Sequence, residues 1–184
     1  MKHHLLAVMA LVVMCTLASC QPNRKQLLES RLQTLSESTE LGTVEYTVKK
    51  IVKSNDKQWY TVGDRRILFQ TTAYLKAGIK LDGFGVENIK VDNDNNAVVT
   101  LPHAQLLSFN MPDDEISTVF EDYGYFRSKF NAEEQNKILR LGEENIRNDV
   151  PNLGILQDAE KNADEIFTAL LQPLNYKTIT IKFE

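Results

Sequence analysis

The chain has 184 residues, of which 42% are hydrophobic and 25% are charged. This length is typical of one domain with a substantial apolar core. The formal net charge of −4 gives no electrostatic reason to expect binding to nucleic acid, so we predict no nucleic-acid partner.

The N-terminal residues have the pattern of a signal peptide. Lys2 precedes an apolar segment at residues 5–17, which is shorter than the ~20 residues that a membrane-spanning helix needs. Four residues close this segment: Leu17, Ala18, Ser19 and Cys20. They resemble the bacterial lipobox, which implies cleavage after residue 19 and a diacylglycerol on Cys20. An ordinary secretory signal is the alternative.

Cleavage at this point divides the chain into three parts. They are a signal peptide at residues 1–19, a lipidated Cys with a short tether and an N-terminal helix at residues 20–41, and a single domain at residues 42–184. Because Cys15 would be removed and Cys20 alkylated, the folded domain would contain no free thiol, disulfide or cysteine metal site.

The residues after Cys20 bear on where the protein is sorted. Gln21 stands where an Asp would retain an enterobacterial lipoprotein in the inner membrane, so the outer membrane is favoured. No acidic tract follows, which favours the periplasmic face over the cell surface. We therefore predict a lipid-anchored protein of the cell envelope that faces the periplasm.

A short helix is predicted directly after this tether. Asn23 and Gln26 stand at capping-box spacing, and Leu28, Leu32 and Leu35 recur at helical intervals. Two arrangements remain open for it. Its basic residues could contact anionic headgroups, or its leucines could pack on the domain while its charges are solvated.

From residue 43 the hydrophobic period changes to two, as in an antiparallel sheet with one wet face. The first strand alternates at Val44, Tyr46 and Val48, and we expect a bulge or a strand end at residues 49–52. The clearest strand covers residues 66–81. Gly78 is expected to bend it, because glycine has no side chain to pack.

A hairpin is predicted next, in which residues 86–91 and 97–101 flank a polar loop at residues 92–96. Pro102 ends this hairpin because proline has no N–H to donate. Residues 106–109 are either another strand or a buried loop. No periodicity assigns a structure to residues 111–130.

The last third of the chain is predicted to be helical. Asn131 and Glu134 form a capping-box pair, and Pro151 ends the first helix. A second helix ends at Pro173 and carries an apolar stripe of Leu156, Ala159, Ala163, Ile166, Phe167 and Leu170. Residues 179–183 form a strand.

These elements predict an α+β fold. It consists of an antiparallel sheet of about five to six strands, two C-terminal helices and a closing strand, preceded by a short N-terminal helix.

Several short motifs occur in a fixed order along this chain. They are Lys76-Ala77-Gly78-Ile79, Leu101-Pro102, Asp122-Tyr123-Gly124-Tyr125-Phe126 and Ala159-Glu160-Lys161-Asn162-Ala163. With the isoleucine-rich last strand, they resemble the bacterial family called domain of unknown function 4230 over about residues 42–184. The resemblance implies no established activity, so it supplies no catalytic residues.

The residue inventory excludes several catalytic classes. Without the signal peptide only one histidine, His103, remains, and the only cysteine would be lipidated. Cysteine–histidine catalysis and multi-histidine metal centres are therefore excluded, and no Gly-x-Ser-x-Gly elbow occurs. Paired carboxylates stay open because acidic residues abound. We predict no catalytic residues and no cofactor, and we interpret His103 as structural or exposed.

The polar loop has part of a calcium-binding pattern. Asp92, Asp94 and Asn96 have the spacing of the first three oxygen ligands of a calcium loop, but the required glycine and glutamate positions hold Ala97 and His103. We therefore interpret the loop as a turn that bonds to its own backbone. No metal is expected, and the first three residues are the remaining metal candidates.

Aromatic residues gather between positions 120 and 130, and they are the best candidates for an interaction surface. The predicted surface contains Phe120, Tyr123, Tyr125 and Phe126. Core packing of these side chains is the alternative.

Two functional classes follow. The first is a non-enzymatic binding, adaptor or self-associating protein at the membrane, whose partner is an unknown protein or further copies of the chain. The alternative is a carboxylate-dependent periplasmic hydrolase or small-ligand-binding protein.

Overall fold

The structure is a computed structural model, and it describes residues 24–36, 39–57, 60 and 62–184. The predicted signal peptide, the lipobox with Cys20 and the predicted cap residue Asn23 lie outside the described residues, as does the side chain of Leu35. None of the helices in the described ranges is both long enough and apolar enough to cross a bilayer.

The described residues form three α-helices and seven strands. In chain order they are α1 (Arg24–Ser36), β1 (Glu40–Asp56), β2 (Arg65–Lys80), β3 (Ile89–Val91), β4 (Asn96–Leu101), β5 (Gln105–Asn110), β6 (Ser117–Tyr123), α2 (Ala132–Asp149), α3 (Ile155–Leu171) and β7 (Thr178–Phe183). This order confirms the predicted α+β class with its N-terminal helix, two C-terminal helices and closing strand.

A long antiparallel hairpin of β1 and β2 is the axis of the fold. On its other edge β2 pairs with β5 over one half of its length and with β6 over the other half. The 17 residues of β1 extend over about 55 Å at ~3.3 Å per residue. We call the end that contains Glu40 and Lys80 the base, and the end that contains Asp56 and Arg65 the tip.

The predicted alternation of β2 is confirmed. Its inward-facing side chains are all 3% exposed or less and form the floor of the core: Ile67, Phe69, Thr71, Ala73, Leu75, Ala77 and Ile79. Gly78, predicted to bend the strand, lies at the register shift of β1 and directly after that of β5, which falls between Lys76 and Ala77. A Cβ at this position would lie 2.7 Å from Leu107 Cδ1 and 3.1 Å from the Leu41 carbonyl oxygen, so a larger residue would displace Leu107 and crowd the backbone of β1.

The predicted break at residues 49–52 is wrong. β1 pairs with β2 without a shift through this segment, and Lys50 occupies an inward-facing position. Its amine lies 2.8 Å from the Asp149 carboxylate, while Ile51 points outward and is 58% exposed. Because a lysine lies on the inner face and an isoleucine on the outer face, the hydrophobic alternation of the sequence is interrupted here, although the strand itself is continuous.

The helix α2 runs along the inner face of the hairpin from the tip toward the base. Near its start Glu134 bonds to Arg65 of β2. Just beyond its middle Gly142 packs against Val52, and at its end Asp149 meets β1. The helix therefore covers the tip half of the hairpin.

The helix α3 continues in the same direction over the base half. Near its start Asp158 accepts a 2.6 Å hydrogen bond from the Tyr46 hydroxyl. Farther along, Ala159 and Ala163 lie against Gly42, where a Cβ would come within 2.6 Å of the Ala159 carbonyl oxygen. Gly42 also has a φ of +63°, so glycine is required there for both space and backbone conformation.

The predicted helix boundaries are confirmed. Asn131 Oδ1 accepts from the Glu134 N–H, and Glu134 Oε2 accepts from the Asn131 N–H, both at 2.9 Å. Pro151 and Pro173 lie in the short 3₁₀ turns that follow the two helices. The predicted stripe of α3 is wrong at Ile166, which is 39% exposed.

A second, smaller sheet of β3, β4 and β7 lies at the base. β3 and β4 form the predicted hairpin, although Val86–Asn88 is a 3₁₀ turn and not part of the strand. β7 pairs with β4 in parallel. The seven described strands are therefore divided between this three-stranded sheet and the four-stranded antiparallel main sheet. The helix α1 packs at this end with Leu28 and Leu32 buried, as in the second of its two predicted arrangements. Its Arg31 is not simply solvated, because it donates a 3.3 Å hydrogen bond to the Leu170 carbonyl oxygen.

The apolar interior has two parts along the hairpin. The larger cluster lies at the base and includes Leu75, Ile79 and Phe167. The smaller one, which we call the tip cluster, consists of Val52, Ile67, Phe69, Phe130 and Ile138.

Candidate functional site

The aromatic residues that were predicted to form one surface occupy three different environments. Phe120 lies on β6 and is 47% exposed. The Tyr123 ring packs on the tip cluster, with its centroid 6.2 Å from that of Phe130. Tyr125 and Phe126 lie in the turn after β6, are 94% and 76% exposed, and contact each other edge to face at 5.1 Å.

This turn is joined to the loop between β1 and β2 by two glycines. The Gly124 N–H donates a 2.8 Å hydrogen bond to the Asp64 carbonyl oxygen. A Cβ on Gly63 would lie 2.8 Å from the Cα of Gly124, so any larger residue would separate the two segments. The φ of +93° at Gly63 also favours glycine.

The two joined segments expose four large side chains at the tip. We call them the tip patch: Tyr60, Val62, Tyr125 and Phe126, which are between 67% and 94% exposed.

An ion network of two buried guanidinium groups and two partly exposed carboxylates holds the turn in place next to the tip patch. Asp56 Oδ2 accepts from Arg65 Nε at 3.0 Å and from Arg127 Nη2 at 2.6 Å. Arg65 also donates to both Glu134 oxygens, with Nη1–Oε2 at 3.2 Å and Nη2–Oε1 at 2.7 Å. The side chains of Arg65 and Arg127 are only 9% and 6% exposed. The network therefore ties together β1, β2, the turn and the start of α2.

The charges of the network pair with one another, as in a structural ion cluster. Two guanidinium groups face two carboxylates, and the Arg65 guanidinium lies 4.4 Å from the centroid of the Phe130 ring. The hydrogen bond to Glu134 is the main cause that raises the pKa of Arg65. Since the donors of Arg65 point to carboxylates within the protein, they are not directed at an external anion.

We expect the Glu134 contact to make stability depend on pH. The hydrogen bond from Arg65, followed by the Asn131 N–H, lowers the pKa of Glu134 below its ordinary 4.5. A carboxylate with a lowered pKa stabilises the fold fully above its ordinary pKa, and this contribution is lost as the pH falls through the lower folded value. Glu134→Gln keeps the cap but removes the charge. The difference in unfolding free energy between wild type and Glu134→Gln should therefore shrink as the pH falls below 4.5.

Urea unfolding of both proteins across this pH range measures that difference. A difference that stays constant from neutral to acidic pH would contradict the assigned role of Glu134.

The loop proposed as a metal candidate is a hydrogen-bonded turn. Asp92 Oδ1 accepts from the Asn96 N–H and Asp92 Oδ2 accepts from Asn96 Nδ2, both at 2.8 Å. The backbone bond from Asn96 is the main cause that lowers the pKa of Asp92, and Asn95 has a φ of +66°. Asp94 is exposed in the same loop. Within the described ranges no group of three or more His, Cys, Asp or Glu residues is placed to hold a metal ion.

His103 and Glu40, which lies in a groove near β1, both have charged partners within the protein. His103 Nδ1 lies 2.8 Å from Glu160 Oε1, and the histidine side chain is 67% exposed. A groove of about 430 Å³ between the start of β1 and α3 contains Glu40 and Glu165. Glu40 is ion-paired with Lys76 at 2.6 Å, so its carboxylate already has a cationic partner within the protein.

Sequence reasoning missed the ion network. Asp56 and Arg127 are 71 positions apart, and Arg65 and Glu134 are 69 positions apart. No local pattern joins such residues. The sequence also gives no sign that Arg65 is buried, because arginine side chains are mostly exposed.

Comparison with known proteins identifies one family. A family model described as a protein of unknown function (DUF4230) matches residues 33–181. Neither curated proteins nor solved structures gave a match. The matched region contains α2, α3 and both sheets except the last two residues of β7, and it includes all four residues of the ion network.

Proposed function

Since the chain belongs to the family of proteins of unknown function DUF4230, we propose its function from its own surface. The protein is a lipid-anchored, non-enzymatic binding protein of the cell envelope, and it contacts a partner protein with the tip patch.

The exposure of Tyr125 and Phe126 carries this proposal. Large contiguous patches of exposed apolar groups are uncommon on monomeric proteins and mark sites of interaction. Aromatic side chains are also enriched among the residues that contribute most of the binding energy. Beneath the pair, the Asp56–Arg127 ion pair fixes the turn, so little conformational entropy is lost when a partner binds.

The position of the patch agrees with anchoring at the other end. The helix α1 contacts the Val86–Asn88 and Gln172–Leu174 turns at the base, and the hairpin separates this end from the tip by about 55 Å. A lipid on Cys20 would hold the base near the bilayer. The tip patch would then be directed into the periplasm.

We expect the Tyr125→Ser/Phe126→Ser double variant to lose its partner. A photo-reactive amino acid at Val62 would be used to cross-link the full-length protein in intact cells. The yield of a recurrent cross-linked partner should fall by about tenfold or more, since loss of two aromatic contacts costs at least ~1.4 kcal/mol. The melting temperature should stay nearly unchanged, because both side chains are exposed.

Two controls sharpen this experiment. Val91→Ser removes an apolar group that is 47% exposed at the base, and it should leave the cross-linked yield unchanged. Cys20→Ala removes the proposed lipid, and it should release the protein from the membrane. Equal losses in the double variant and in Val91→Ser, or no recurrent partner in any sample, would contradict the proposal.

A further inference from the structure

The main sheet has two edges that are unpaired among the described strands. β1 pairs with β2 only and forms one edge, whereas β5 and β6, which each pair with β2 only, together form the other edge. The free backbone groups of such an edge can pair with a strand of another chain.

The two edges carry opposite charges and exposed apolar groups. On the outer face of β1, Lys49 and Lys53 flank Ile51, which is 58% exposed. The residues of β6 include no Lys, Arg or Pro. They include Phe120, which is 47% exposed, Val119, which is 56% exposed and is the extra residue of a β-bulge, and the exposed acidic residues Glu121 and Asp122.

The register of the sheet places these groups at matching positions along the strand direction. Lys53 and Phe120 both pair with Leu68, and Asn55 and Asp122 both pair with Arg66. Residues paired across strands point to the same face, so these side chains all lie on the outer face. A second copy that is placed beside the first without a shift along the strands would bring its Lys53 beside Phe120 and Asp122 of the first copy.

We propose that copies of this chain associate edge to edge, with β1 of one copy against β6 of the next. Both strands run antiparallel to β2, so they run in the same direction and the new pairing is parallel. Such stacking keeps the base of every copy on one side. Copies that are anchored in a single bilayer must have this common orientation. The argument from orientation rests on the lipid anchor of the proposed function.

The alternative pairings are opposed by charge. Two β1 edges would place Lys49 and Lys53 against the same lysines, and two β6 edges would place Glu121 and Asp122 against the same carboxylates. The β1–β6 contact joins two different surfaces, so it generates a ring or a filament and not a closed dimer.

Disulfide cross-linking in native membranes tests this inference. Ser54 and Glu121 both pair with Ile67, and within one chain β2 separates them by about 10 Å, which is too far for a disulfide. Full-length protein with both Ser54→Cys and Glu121→Cys should form a ladder of dimers and larger species on oxidation. A mixture of the two single variants should form dimers only.

Matched controls separate this contact from others. Glu45→Cys combined with Glu121→Cys should give no ladder, because Glu45 pairs with Lys76, about 30 Å along β2 from Ile67. Asp122→Lys should reduce the Ser54–Glu121 ladder by about fivefold, and Lys53→Glu added to it should restore the ladder.

A dimer from Glu121→Cys alone would show a symmetric contact and overturn the inference. The inference would also be overturned if the Ser54→Cys/Glu121→Cys variant gave no ladder while its thiols still reacted with a maleimide. Either result would leave the proposed function standing if photo-cross-linking at the tip patch still captured a partner.

Discussion

Asp56→Ala is expected to lower the free energy of unfolding by about 3 kcal/mol. Its carboxylate accepts hydrogen bonds from both Arg65 and Arg127, whose side chains are almost fully buried. Removing one partner of a buried ion pair leaves a desolvated charge, which costs ~3–5 kcal/mol, and the 23% exposure of Asp56 places the loss at the low end. Urea unfolding at neutral pH measures it.

Asp64→Ala is the matched control. Asp64 belongs to the same loop, but its contacts to Lys57 and Arg66 are 3.6 and 3.7 Å long and more exposed. Ion pairs of this kind contribute ~0–1 kcal/mol, so this variant should lose less than about 1 kcal/mol. An Asp56→Ala loss as small as the one expected for Asp64→Ala would show that the Asp56 network does not stabilise the fold.

The same network connects stability to the proposed binding surface. Arg127 follows Tyr125 and Phe126 directly in the chain, and its bond to Asp56 fixes the turn that displays them. We therefore expect Asp56→Ala to weaken partner cross-linking as well, although it removes no side chain from the tip patch. Buried charge is thus used here to hold an exposed apolar surface in one conformation.

Local patterns predicted the elements whose two sides differ in environment. β2 has a buried face and a wet face, so its alternation was visible. The Asn131–Glu134 cap depends on residues three positions apart and was equally visible. β6 was not predicted, because six of its seven residues are exposed and an edge strand without a covered face has no periodic signature.

Long-range contacts could not be predicted from these patterns. The parallel pairing of β7 with β4 joins segments about 80 residues apart, as the Asn95–Asn175 hydrogen bond between their flanking turns shows. Within the aromatic segment, Tyr123 is covered by the tip cluster while Tyr125 is exposed. The turn at Gly124 separates them, and no property of the side chains themselves distinguishes the two tyrosines.

Phe167→Ala is expected to have the largest effect of any truncation in the core at the base. The Phe167 side chain is fully buried and contacts Phe84 edge to face, with ring centroids 5.1 Å apart. Loss of a buried ring removes its transfer free energy and leaves a cavity, which together cost ~3–5 kcal/mol. The melting temperature should fall by about 2–4 °C for each 1 kcal/mol, so by roughly 6–20 °C.

Ile166→Ala tests whether the register of α3 is the one described. This side chain is adjacent in sequence and was predicted to lie in the same apolar stripe, but it is 39% exposed and lines the groove beside Leu41. Its truncation should cost no more than about 1 kcal/mol, because most of the neighbouring space is already open to water. If Ile166→Ala were as destabilising as Phe167→Ala, α3 would have to be rotated about its axis, and its contacts with Gly42 would have to differ. Thermal unfolding of both variants, followed by circular dichroism, therefore decides which face of α3 closes the core.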